Sequence, residues 1–112
     1  MAGLSDVMSL PQFQEEIRRI ARFEVSDPVA GALGAAVQKI KDNPAFSQSR
    51  LLSRVLRALT DQAGEFRRAE ASAFDTATLR LVVALMEASR AGTNPHAEWE
   101  KAVTAIDAAI SA

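Results

Sequence analysis

Apolar residues recur at intervals of three and four along most of this chain, and short breaks divide the pattern into five runs. In the first, Leu10, Phe13, Ile17, Ile20 and Ala21 share one face. Glu15, Glu16, Arg18, Arg19 and Arg22 fall on the other, which predicts a helix over about residues 10 to 24. Ser9 stands where an N-cap belongs, and residues 1 to 8 read as a flexible lead-in. The second run opens with Asp27 as cap and Pro28 at the first helical position. Val29, Leu33, Ala36 and Ile40 form its stripe, and Asn43-Pro44 ends it, because a residue before proline avoids helical geometry.

The third run starts near Ser47 with Leu52, Val55, Leu56 and Leu59 inward. Its spacing continues through Ala63 and Phe66, so one long helix to about residue 70, with Gly64 inside it, is expected. The alternative is a stop at Gly64 as a helix-ending glycine. The fourth run has Asp75 as cap, Phe74 placed to staple onto Leu79, and Gly92 as terminator. The fifth has Asn94 as cap, Pro95 at the first position and a stripe of Trp99, Val103, Ile106 and Ile110. Four or five helices joined by short loops predict an all-α fold, a compact single-domain bundle of antiparallel helices over residues 9–112.

Composition agrees with that reading. Alanine, the best helix former, is the commonest residue, whereas aromatics make up only 5% of the 112 residues. A net charge of −1 provides no general attraction to nucleic acid or anionic lipid. The absence of cysteine removes disulfides, thiolate metal sites and thiol nucleophiles, and fits a reducing cytoplasm. The N-terminus lacks the basic and apolar regions of a signal peptide, and no apolar run nears the ~20 residues that span a bilayer. A soluble cytoplasmic protein with no membrane role is expected.

Few side chains suggest chemistry. Arg50, Arg54 and Arg57 fall within a band about 60° wide on the third helix, and such a row can follow a phosphate backbone. The band then meets Asp61 and Glu65, with Asp61 one turn past Arg57 and able to pair with it. That alternation favours an ordinary solvated face. Ala30, Gly34 and Ile40 match the spacing of a helix-turn-helix DNA reader, but the reading helix would be very short before Asn43-Pro44. A continuous helix explains the same residues, with Gly31 and Gly34 letting a neighbouring helix approach.

The fourth helix is apolar nearly all round. Leu79, Val82, Val83 and Met86 make one face, while Leu81 and Leu85 lie on another. Such a helix is either central or keeps one face for a partner, and Leu81 and Leu85 are the candidate interface. His96 is the lone histidine and cannot build a metal site by itself; Glu98 and Glu100 are read as lying off its face. Glu15 and Glu16 diverge, so they do not make a cooperating acid pair. Ser49, Ser53 and Ser72 have no base at a recognisable spacing. Trp99 reads as core.

No cofactor, catalytic residue, metal site or small-molecule substrate is expected. The functional expectation is a non-enzymatic protein–protein interaction or regulatory adaptor module that associates with a protein partner or with itself as a homodimer. The alternative is a nucleic-acid-binding regulator using Arg50, Arg54 and Arg57, with Lys39 and Lys41 in support.

Overall fold

Ser9 and Gln12 tie the first helix down in the way a Ser-x-x-Gln sequence allows. The Gln12 carboxamide oxygen accepts the Ser9 N–H at 2.9 Å, and the Ser9 hydroxyl lies 3.4 Å from the Gln12 N–H. The computed structural model describes residues 7–24 and 31–111. In chain order its elements are β1 (Val7–Ser9), α1 (Leu10–Glu24), α2 (Ala32–Asp42), α3 (Ser47–Asp61), β2 (Glu65–Arg67), α4 (Arg68–Ala71), α5 (Thr76–Ala91) and α6 (His96–Ser111). The fold is therefore predominantly helical, with one short antiparallel strand pair in which Met8 faces Phe66. The Cα radius of gyration of 13.5 Å is that of a compact chain of this length.

α1 has the predicted bounds and buries Leu10, Phe13, Ile17 and Ala21. Val7 and Met8, read from the sequence as part of the lead-in, lie in β1, and Met8 is buried. Asp27, Pro28, Val29 and Ala30 lie outside the described residues. α2 begins at Ala32, behind Gly31 in the left-handed region (φ 61°), whose carbonyl accepts the Ala35 N–H at 3.0 Å. It stops at Asp42, just before Asn43-Pro44.

The long third helix does not form. α3 ends at Asp61, Gln62 turns left-handed (φ 56°), and the Ala63 N–H returns to the Ala58 carbonyl at 3.1 Å. Gly64 is neither inside a helix nor the left-handed terminator. It lets the outgoing chain pass close to α3: a Cβ there would lie 2.8 Å from Ala58 Cβ. Gly64→Ala should lose about 1–3 kcal/mol in urea unfolding, as overpacked sites do. Ala58→Gly in the same chain should recover part of that loss, whereas two losses that simply add would place the clash elsewhere.

α5 is capped at both ends as its sequence indicates. The Asp75 carboxylate accepts the Thr78 N–H at 2.7 Å, and Gly92 turns left-handed (φ 67°) as the Thr93 N–H bonds back to Ala88 at 3.2 Å. Gln48 adds a link from α3, donating to the Ala73 carbonyl at 2.7 Å and accepting the Asp75 N–H at 2.9 Å. Phe74 lies edge-on to Phe13 with centroids 6.2 Å apart, so its recorded ring partner is on α1.

The Thr78 N–H holds the Asp75 carboxyl below its ordinary range. A depressed carboxylate contributes stability above its unfolded value of about 4, and that contribution is lost as pH falls through the lower folded value. The stability difference between the protein and Asp75→Asn should therefore be constant from neutral pH to about 5 and shrink below about 4. Urea titrations at several pH values check this; a difference that stays constant into acid would contradict the cap's charge.

The helices pack in succession: α6 on α2 and α3, that pair on α5, and α5 on α1. α5 is thus internal. α1 also meets β1, β2 and α4, which closes the far end of the core.

Candidate functional site

The three arginines singled out from the sequence do not form a free stripe. Arg54 forms an ion pair with Glu70, donates to the Glu65 carbonyl at 2.9 Å, and places its guanidinium 5.3 Å from the Phe66 ring centroid. Glu70 also accepts the Arg67 N–H at 2.7 Å, so one carboxylate caps α4 and anchors the arginine. This cluster fastens the β2–α4 segment onto α3. Arg57 pairs with Asp107 of α6, not with Asp61 as its spacing suggested. Arg50 is exposed, with no ion-pair partner among the described residues. Two of the three cations are thus engaged within the fold.

Leu81 and Leu85 are not a partner face either. They are 9% and 0% exposed, on a helix enclosed by α1, α2 and α3. The surplus apolar surface of α5 is spent inside the molecule. Gly34 lies within α2, so the helix-turn-helix spacing has no turn at its glycine. Among the described residues neither Gly31 nor Gly34 would bring a Cβ within 4 Å of another group, so neither serves a close approach there.

A cleft of about 370 Å³ opens where the C-terminal ends of α3 and α5 meet the start of α6. Asp61, Gln62, Ser89, Asn94, His96 and Trp99 are among its walls. The cleft joins a serine, a histidine and an aspartate that sequence spacing could not connect, but none of the three hydrogen-bonds another. Ser89 takes a long contact from Gln62 Nε2 at 3.4 Å. His96 Nε2 faces Glu100 at 3.6 Å. Glu100 stands four residues on, so it does share the histidine's face, and both side chains are well exposed. Asn94 donates to Glu98 at 2.8 Å, and Pro95 supplies the first carbonyl of α6, accepting the Glu98 N–H at 2.9 Å. Among the described residues no three acidic or histidine side chains gather to hold a metal ion. Ser53 donates to the Arg50 carbonyl at 2.7 Å, and Ser49 is buried.

The second recess is of another kind. Between α2 and α6 runs an open groove of about 400 Å³ formed by Leu33, Gly34 and Val37 with Ala102, and edged by Asn94, Glu98 and Lys101. Leu33 and Ala102 are each 7% exposed, Val37 is half-buried and Gly34 is open to solvent. The groove arises because α2 offers glycine at its outer edge where α6 offers alanine. Sequence patterning missed it, since the stripes show which face of a helix is apolar but not which helices become neighbours. Chemically it has an apolar floor and a mixed-charge rim, suited to a side chain or helix from another protein surface rather than to a reaction. Among the described residues no helix is long and apolar enough to cross a membrane. Comparison with protein families, characterised proteins and solved structures finds no match to the chain.

Proposed function

We propose that this protein is a small non-enzymatic interaction or regulatory module of the cytoplasm, which docks a protein surface into the groove between α2 and α6. Its scaffold, in this reading, is an antiparallel bundle of the five long helices. The groove carries the proposal: it is apolar at its base, polar at its edge and formed by two long helices. The polar cleft supports an enzymatic reading less well, because Ser89, His96 and Asp61 share a wall without a hydrogen bond between them. The nucleic-acid alternative loses its main support once Arg54 and Arg57 are bound to Glu70 and Asp107.

The test is co-purification from cells that express the chain in tagged and untagged forms. A stoichiometric protein should remain bound through a high-salt wash and be lost from the Gly34→Leu variant, whose side chain would fill the groove. No retained protein would overturn the proposal. Absorbance at 260 nm that salt strips away would restore the nucleic-acid alternative, since phosphate binding weakens steeply with salt.

A further inference from the structure

Gly34 is the third residue of an eleven-residue helix, in its first turn, where alanine is the better intrinsic helix former. Its φ is not left-handed, and a Cβ built on it meets nothing within 4 Å. Among the described residues, neither backbone geometry nor packing calls for glycine there. A bare helix backbone at the edge of an apolar groove suits a close approach from outside.

The rim indicates what approaches. Glu98 and Lys101 stand three residues apart on α6, and neither has an ion-pair partner among the described residues; Glu98 accepts only the Asn94 side chain, at 2.8 Å. A partner of uniform charge would repel one of the two. A surface with the same pair in reversed order would satisfy both, and a two-fold axis across α6 generates that surface from the chain itself.

We infer that the groove's occupant is a second copy of this chain, docked about a two-fold axis so that Glu98 of each copy faces Lys101 of the other and Gly34 lies beneath the contact. This rests on the interaction-module reading and names its partner.

Light scattering on size-exclusion fractions, over about three decades of concentration around micromolar, tests it. The protein should pass from monomer to dimer. Glu98→Lys alone, or Lys101→Glu alone, sets like charges against each other twice and should weaken the dimer at least about tenfold. The double exchange restores opposite charges and should recover the dimer. Gly34→Leu should abolish dimerisation while circular dichroism and thermal stability stay at or above the parent's. Gly34→Ala serves the same purpose should the leucine disturb the fold. A monomer at every concentration overturns the inference, as does a dimer indifferent to Gly34 or to the single reversals. The co-purification separates this failure from that of the wider reading: a different protein held in the groove sinks the second copy alone, and an empty groove sinks both.

Discussion

Leu85→Glu should leave a chain with no cooperative helical unfolding transition, while Leu85→Ala should keep the fold and lose about 2–5 kcal/mol. Leu85 is fully buried at the middle of α5, the helix lying between α1 and the α2–α3 pair. A carboxylate there would be taken out of water inside the apolar core, which outweighs the few kcal/mol that hold a domain of this size together. The truncation removes apolar contact on several sides at once and leaves a cavity that four helices cannot all move to fill. Circular dichroism with urea unfolding gives both values. A folded Leu85→Glu protein of normal helicity would return α5 to the surface and revive it as a partner face.

Phe13→Ala should be the other severe truncation, with a loss of about 3–5 kcal/mol. Phe13 is fully buried, stacked on Phe66 with ring centroids 3.9 Å apart and edge-on to Phe74. The three rings join α1 to β2 and to the residue before the cap of α5. Removing the central ring takes away its own buried area and the ring-to-ring attraction, which is worth about 0.5–1.5 kcal/mol per pair. Amide exchange should then show the β2–α4 segment opening ahead of α3 and α6. Uniform acceleration at every amide would mean that the ring cluster is not a local clamp.

The contrast between those two regions shows what could be read in the sequence. α1 and α5 carry their start signals beside their stripes, Ser9 with Gln12 and Asp75 with Thr78, and both helices begin where those residues place them. Residues 62–72 carry one such mark, Gly64, and the helix ends before it. Phe66 fits a helical period and an alternating one equally well, and the turn falls on Gln62, a residue that seldom adopts left-handed geometry. What decides the matter is distant: Met8 pairing across from Phe66, and Phe13 stacking on it. Arg57 illustrates the same limit, since its local partner Asp61 loses to Asp107, fifty residues away. The groove was hidden for a related reason. Leu33, Ala36 and Ile40 announce an inward stripe, but nothing local says that α6 will lie beside it and leave Gly34 uncovered.

The strand pair also bears on how such a chain avoids unwanted company. A two-stranded sheet has two open edges, and each is a template for a passing strand. Here three of the backbone groups are already taken by side chains. Ser9 gives its N–H to Gln12, Arg67 gives its N–H to Glu70, and the Glu65 carbonyl accepts from Arg54. An incoming strand would have to displace charged or amide side chains held by their own helices to gain a ladder only three residues long. Growth by edge-to-edge addition is thereby discouraged.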